Sequence, residues 1–531
     1  MSYDIVSFLE KEDIPAQIKR FITSFILTDL PYLGPALFAS MMIFISYLLT
    51  HPFPGFGGGL FIAYAQAIID HNYLLPKFIQ NYGPRPLPFA YPPLGFYVIA
   101  IFLDIFQISP VELTRILPGL VIPVYIVAGY YLMKEWLSTR LEAGIAALML
   151  ATLPDIFLLR LTAGGIVRAP ALVVTLIGLY FATKLFKTHA TPYLYGATIF
   201  FAITILYHPV TSVFYGISTF IFWLMLDQSR KGFVYGAVVG FGGLLITSPW
   251  WIFVGINHGW DVFLAASQTH QGLAFDPLAW GRFVYTPDQV FPNIWYTFVL
   301  IGLPIAVAKR RWALLVWFIV PLFLLSGHIR MSMTVGSAFA GLAVGTVIRE
   351  IRTIDTLPQI NVPRLTLALI MIYVLLSGMA FAANYPYLEQ DTTQSFIDHS
   401  DMKAIRWVQK ETPKTASFIV IGDIAEWFPA LSERASLNTW EGQEWISSKR
   451  QKQFFKLNRK LAQCPSISCI DRVAEQYGFD PRYYYIPKDK FSNNWETYTQ
   501  SALMRKSIVE SRRFEIVYEN QHILIVKEIA E

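Results

Sequence analysis

The sequence predicts a polytopic α-helical membrane domain carrying a water-soluble α/β domain at its carboxy terminus. Three observations predict it. Only 15% of the residues are charged and 54% are hydrophobic, with a mean hydropathy of +0.44, whereas soluble domains carry roughly 25% charge. The deficit is uneven: residues 31–383 form apolar runs with short polar joints, and residues 384–531 read as an ordinary soluble sequence. Lys and Arg collect in the joints Lys134–Arg140, Lys184–Lys187, Arg230–Lys231, Lys309–Arg311 and Arg349–Arg364, as in cytoplasmic loops. The net charge of +5 is explained by those joints. No basic tract is interleaved with aromatic residues, so nucleic acid is not an expected partner.

Residues 1–30 are polar and amphipathic, and Lys19–Arg20 put them on the cytoplasmic side. No charged, apolar and small-residue sequence marks a cleaved signal. Pro31–Thr50 is the first predicted span. Further spans are expected at Leu94–Phe106, Leu117–Met133, Ala143–Leu153, Ala171–Phe186, Tyr193–Leu206, Ser212–Leu226, Val234–Val254, Trp295–Val307, Ala313–Leu325, Val335–Val347 and Leu365–Ala383. That makes twelve, yet the basic joints put the soluble domain opposite the amino terminus. About 12–13 transmembrane helices is therefore the expectation. The miscounted element is either a re-entrant piece near Ile108–Pro118 or a short helix in Asp155–Pro170.

Between the first two spans lies the long outer loop 51–94, with eight prolines and five glycines, a density that breaks helices. Leu60–Ile69 is apolar on nearly every side and reads as a short helix at the membrane surface. A loop this long and aromatic reads as the cover of a cavity, with a purely structural re-entrant loop as the alternative. Four joints share its side: Pro154–Pro170, Tyr207–Thr211, Gly255–Pro292 and Ser326–Met331. They bring Arg160, Arg168 and Arg330 against the positive-inside bias, which calls for an anionic ligand or a carboxylate partner.

The soluble domain begins with a helical pattern at Asp401–Lys410 and a strand at Ser417–Gly422. It ends in a hairpin pattern at Phe514–Lys527. Its Cys464 and Cys469 close a C-P-S-I-S-C loop without a C-x-x-C or a histidine partner. A small disulfide is preferred to a metal site, with two free thiols as the alternative. A disulfide would put the domain in an oxidising, extracytoplasmic space.

No phosphate loop ending in Lys-Ser/Thr, no H-E-x-x-H and no G-x-S-x-G is present. Gly57–Gly59, at a loop-to-helix junction, serves either close backbone packing or an anion at the helix start. The first outer loop ends in F-A-Y-P-P-L-G-F-Y (Phe89–Tyr97). Further on stand R-L-T-A-G-G-I-V-R (Arg160–Arg168) and E-W-F-P-A-L-S-E-R-A-S-L…G-Q-E-W (Glu426–Trp445). With the order of span, long outer loop, further spans and outer α/β domain, the chain resembles the GT-C membrane glycosyltransferases. That class includes the protein mannosyltransferases, the lipid A aminoarabinose transferase and the oligosaccharyltransferase catalytic subunit. The Arg160–Arg168 segment is similar to one that ends in an acidic motif in oligosaccharyltransferases; here Val167 and Arg168 stand in that place. Relatives also carry an acidic residue early in the first outer loop, where this chain reads Gly55-Phe56-Gly57-Gly58-Gly59.

The resemblance implies transfer of a sugar from a polyprenyl-phosphate donor to a lipid, glycan or protein acceptor on the extracytoplasmic face of the cell membrane. Membrane lipid would be a further partner, inversion the default stereochemistry, and no cofactor or metal is expected. Such chemistry needs a base for the acceptor proton and cations for the departing phosphate. Arginine suits the second role through its planar, always-charged fork. Arg168 and Arg330 lead, followed by Arg85 and Arg160; the alternative for each is a carboxylate partner or a head-group contact. Asp70, the carboxylate of the first outer loop, leads for the base, with Asp155 and His208 behind it. Asp70 is equally read as a helix end, and His208 as the end of a span. Asp104 is an intramembrane carboxylate or a helix-pair contact, and Glu426 and Glu444 roof the cavity or stay on the surface. The alternative function is a non-catalytic lipid- or glycan-binding subunit of a cell-envelope assembly. A transporter is disfavoured by the lack of internal repeats.

Overall fold

The structure, a computed structural model, describes residues 25–269, 294–352, 394–494, 496–500 and 502–529. Most of the amino-terminal segment, the expected span Leu365–Ala383 and the polar run from His270 to Asp288 lie outside the described residues.

The bundle begins with α1 (Leu30–Thr50), then α2 (Gly59–Asp70), a small hairpin of β1 (Phe78–Ile79) and β2 (Leu87–Pro88), α3 (Leu94–Asp104) and α4 (Pro110–Trp136). It continues through α5 (Arg140–Thr152), α6 (Pro154–Leu161), α7 (Gly165–Thr188), α8 (Thr191–Tyr207) and α9 (Pro209–Phe222). After α10 (Arg230–Ile246), α11 (Ser248–His258) and α12 (Asp261–Thr269) come α13 (Ile294–Ala308), α14 (Trp312–Leu324) and α15 (Ile329–Arg352). Among the described residues, five helices are long and apolar enough to cross a membrane, or up to seven if each bent pair is one span; five shorter apolar helices accompany them. Every expected span among the described residues has its helix.

Local chemistry sets the boundaries. Ser109 caps α4 by accepting from Glu112 N at 3.3 Å, and Pro110 takes the first helical position. Ile108–Pro118 is therefore the lead-in and first turns of one long helix and not a re-entrant piece. The short helix expected in Asp155–Pro170 is present as α6. Leu153, preceding a proline, is held extended at ψ 116°, so α5 and α6 meet at 50°. At the far end of α5, Glu142 completes a capping box with Thr139 and pairs with Arg349 at 2.7 Å. Helices approach closely where side chains vanish: a Cβ on Gly341 would lie 2.3 Å from the Glu142 carbonyl.

The carboxy-terminal domain comprises α16 (His399–Glu411), β3 (Ser417–Val420), α17 (Phe428–Ser432), β4 (Ala435–Ser436), α18 (Ser448–Ala462) and α19 (Ile467–Gln476). It ends with β5 (Tyr483–Pro487), β6 (Lys490–Asn493), β7 (Glu496–Thr499), α20 (Ala502–Val509), β8 (Phe514–Glu519) and β9 (Ile523–Glu528). The main sheet has the order β4-β3-β5-β9-β8, parallel from β4 to β5 and antiparallel thereafter. The expected first helix, strand and closing hairpin are α16, β3 and β8–β9. Cys464 and Cys469 are joined in a disulfide.

Strand alternation gives the sheet two working faces. Ile419, Tyr484 and Val526 pack on α18 and α19, while Phe418, Val420, Tyr485 and Ile525 join a second cluster. That second cluster also holds Tyr64, Phe89 and Phe96 of the first loop region and Ala163, Ile166 and Val167 of the bundle. One continuous apolar core thus welds sheet, loop and helix ends together. The loop also extends the sheet edge: Ser436 N donates to Asn81 O at 3.0 Å and Gly83 N to Ser436 O at 2.9 Å.

Candidate active site

Three segments meet at one point: Gly55–Leu60 of the first loop, the α6–α7 turn Thr162–Gly165, and Glu426–Trp427 of the carboxy-terminal domain. Gly55 N donates to the Tyr47 hydroxyl at 2.7 Å, and Ala163 N to Gly55 O at 2.9 Å. The Trp427 indole donates to Phe56 O at 3.1 Å, and Phe56 is held at φ 59°. A left-handed phenylalanine is strained, and such backbone persists only where surroundings fix it.

The glycine triplet serves both readings left open by the sequence. A Cβ on Gly58 would lie 2.7 Å from the Ala163 Cβ, and one on Gly59 2.6 Å from the Trp427 Cα, so close packing demands glycine. The freed amides also meet an anion, which is internal: Glu426 accepts from Gly59 N at 3.2 Å and from Leu60 N at 3.1 Å. Burial of its side chain raises the Glu426 pKa to about 7, with those amides pulling the other way. Glu444 is likewise raised to about 7 by burial.

Beside this junction the helix ends bring cations together. Arg160 closes α6, Arg168 lies in the first turn of α7, His208 separates α8 from α9, and Arg330 opens α15. The three arginines lie within electrostatic reach of His208, and Arg160 and Arg168 within reach of Arg330. Among the described residues none of the three arginines has an ion pair. Arg160 is 2% exposed, donates to the Ile156 carbonyl and sits over the Tyr125 ring, while its Nε finds no partner among the described residues. His208 Nδ1, Thr162 Oγ1 and Tyr64 Oη are buried and partnerless in the same sense. Arg330 donates to His328 Nδ1 at 2.9 Å. The glycines of R-L-T-A-G-G-I-V-R make room: a Cβ on Gly164 would lie 2.4 Å from Arg168 Nη1, and one on Gly165 1.9 Å from the Arg160 carbonyl.

Tyr91 ties the two sides together. It lies within reach of Arg168, Arg330 and Glu444, its ring meets Trp445 at 5.6 Å and His208 at 6.3 Å, and burial raises its pKa. Asp155, in the first turn of α6, accepts from the Tyr296 hydroxyl at 2.5 Å and feels Arg330.

Arg160, Arg168, Arg330, His208 and Asp155 are thus brought together, and two sequence candidates are not. Asp70 stands at the opposite end of α2 from the glycine triplet, exposed and accepting from Gln66 Nε2 at 3.0 Å. Twelve helical residues separate the ends by about 18 Å. Arg85 is exposed and within electrostatic reach of Arg450. Asp104 accepts from the Tyr73 hydroxyl at 3.0 Å and is exposed. Glu426, expected to roof the cavity or stay on the surface, instead sits at the centre of the junction. Its signal was the triplet itself: three glycines opening a helix without a local acid leave amides for an oxygen from elsewhere. Among the described residues no group of three His, Cys, Asp or Glu could hold a metal ion; the junction is instead rich in arginine. A groove of about 330 Å³ between α8, α9 and α10 is lined by apolar residues such as Phe201, Phe220 and Phe241 and carries no titratable group.

No protein-family model matches this sequence, and no curated protein matches it. Solved structures do share its fold. The oligosaccharyltransferase of Archaeoglobus fulgidus, tethered to an acceptor peptide, superposes with a TM-score of 0.58 at 15% identity, over 88% of this chain and 70% of that one. ArnT from Cupriavidus metallidurans, bound to undecaprenyl phosphate, gives 0.58 at 14% identity, over 94% of this chain and 98% of that one. The mycobacterial arabinofuranosyltransferase AftD gives 0.58 at 12% identity, over 93% of this chain but 40% of that longer one. The fold is the GT-C fold: a helical membrane domain with a carboxy-terminal domain on one end.

Proposed function

We propose that this integral membrane protein is a glycosyltransferase that moves a sugar from a polyprenyl-phosphate donor to an acceptor on the extracytoplasmic face. The observation that carries the reading is the meeting of Arg160, Arg168 and Arg330, without ion pairs among the described residues, where membrane helices end beneath a second domain. Buried cations are retained when something pairs with them, and a phosphate arriving on an apolar tail has the right charge at the right depth. Arg168 and Arg330 hold the phosphate oxygens, Arg160 supports them from below, and the three stabilise the charge that grows on the leaving phosphate. Asp155 and His208 line the same mouth and orient this cluster. The acceptor approaches under the carboxy-terminal domain, past Tyr91 and Trp445. Support comes from the shared fold and from the undecaprenyl phosphate bound by ArnT. The disulfide agrees with an extracytoplasmic domain.

The test is transfer by purified protein in liposomes, offered a panel of polyprenyl-phosphate sugars with and without EDTA. Turnover of at least one donor, lost in Arg168→Ala, is the expected result. Tight binding of a polyprenyl phosphate without turnover of any donor would favour the non-catalytic subunit, for which the lack of an acid early in the first loop, at Gly55–Gly59, speaks.

A further inference from the structure

The glycosyl-transfer reading leaves one need unmet: a group to take the acceptor proton in a chain whose first loop reads Gly55-Phe56-Gly57-Gly58-Gly59. We propose that Glu426, delivered by the carboxy-terminal domain to this glycine segment, is the general base. The inference rests on that reading of the site.

Its position is fixed by backbone. Two amides of the α2 amino terminus hold the carboxylate oxygens at 3.2 and 3.1 Å, and a Cβ on Gly57 would lie 2.3 Å from Glu426 Oε2. Any side chain at Gly57 would displace the acid, so the triplet is shaped around it. The Tyr82 hydroxyl donates to the Glu426 carbonyl at 2.9 Å and the neighbouring Trp427 is tied to Phe56, which fixes the residue from behind. The acid faces the cations: Glu426 is the carboxylate whose field reaches Arg168. The loop's own acid, Asp70, is exposed at the other end of α2.

The chemistry follows. A carboxylate has about four lone-pair sites, so the three amides that meet it, those of Gly58, Gly59 and Leu60, leave one for an acceptor hydroxyl. The hydroxyl oxygen bonds to the anomeric carbon as the bond from that carbon to the phosphate oxygen breaks. The electron pair leaves with the polyprenyl phosphate beside Arg168 and Arg330. The hydroxyl proton passes to Glu426 and then to water. Burial raises its pKa toward neutrality against the pull of the amides and Arg168, which suits a base working near pH 7; the buried Glu441, raised further by burial and by Glu426 itself, faces it and holds the neighbouring proton. Placing the base on a separate domain also means that the site is complete only when that domain is docked.

The experiment compares wild type, Glu426→Gln and Glu426→Ala with the best donor, alongside polyprenyl phosphate binding. The expected result is a fall in transfer of about 100-fold or more in both variants, with binding within a few-fold of wild type and partial rescue of Glu426→Ala by formate. An acid limb near pH 7 in the wild-type rate should vanish in the formate-free variant. Transfer by Glu426→Gln within about threefold of wild type would overturn the inference while leaving the glycosyltransferase standing. Loss of binding together with transfer, and no formate rescue, would also overturn it by making Glu426 a latch for the domain. A wild type inactive with every donor would overturn the base together with the reaction it serves.

Discussion

The two ends of the helical bundle treat basic residues in opposite ways. At one end Lys134 and Arg140 share Asp29 at 2.8 and 3.3 Å, Lys184 meets Glu135 at 2.7 Å, and Arg349 meets Glu142 at 2.7 Å. At the other, under the carboxy-terminal domain, Arg160, Arg168 and Arg330 have no ion pair among the described residues. Burial alone does not explain the difference. Arg434, 3% exposed inside the carboxy-terminal domain, spends its guanidinium on Thr412, Gln409 and Ser432 within 3.1 Å. The buried Arg434 is saturated, whereas the equally buried Arg160 has an Nε without a partner among the described residues. Buried polar groups are normally satisfied, and on the proposed reading this one awaits the donor phosphate.

The contrast breaks most visibly by exchanging the two ends' roles. Arg168→Ala or Arg330→Ala should lower transfer by about 10²–10³-fold, the range for loss of one donor to a developing anion. Melting in detergent should barely change or improve, because an unpaired buried charge is removed. Glu142→Ala should do the reverse. It removes the partner of Arg349 and the acceptor for the Ser138 and Thr139 amides, costing about 2–3 kcal/mol of stability, discounted because Arg349 is 39% exposed. Transfer per folded molecule should stay at the wild-type rate. A melting loss in Arg168→Ala as large as in Glu142→Ala would make the arginines structural and erase the distinction.

How much of this was legible follows the same divide. Local rules reached the helices: apolar runs marked the spans, and the α/β pattern marked α16, β3 and the β8–β9 hairpin. They also named Arg160, Arg168, Arg330, His208 and Asp155, since each stands at a span end where a charge needs a reason. They could not see that α4 starts at Pro110, because Glu112 and Arg115 interrupt an apolar reading that the Ser109 cap restores in three dimensions. Nor could they see Glu426. It reaches Leu60 across 366 residues, and no window along the chain holds both partners. Asp70 leads in the sequence because nearness along the chain stands in for nearness in space, and a helix of twelve residues puts it at the end away from the glycine triplet.

The docked end should also answer to pH in a way the paired end does not. Glu426 and Glu444 are both raised to about 7 by burial. Below roughly pH 4.5 folded and unfolded chains alike keep these protons. Between there and about 7 the unfolded chain gives up protons that the folded one holds, so stability falls as pH rises and levels off above 7. Unfolding of the carboxy-terminal domain, followed by limited proteolysis at pH 5, 6, 7 and 8, should show this slope, and the double variant Glu426→Gln, Glu444→Gln should flatten it. A slope that survives the double variant would move the titration to Glu441, raised by burial and by the neighbouring Glu426 and Glu444, or to Asp401, raised to about 7 by burial.

The smallest expected effect is the sharpest check on where the site ends. Asp70 and Glu426 compete for one role, and both are carboxylates at the two ends of α2. An exposed aspartate at a helix carboxy terminus faces the negative end of the dipole, so removing its charge should stabilise, if anything, by no more than about 0.5 kcal/mol. Its partner Gln66 is itself exposed and can turn to water. Asp70→Asn should therefore leave transfer, donor affinity and the pH profile at wild-type values. Loss of transfer in Asp70→Asn with full transfer in Glu426→Gln would put the reaction at the exposed end of α2 and leave the arginine cluster beneath the domain without a task.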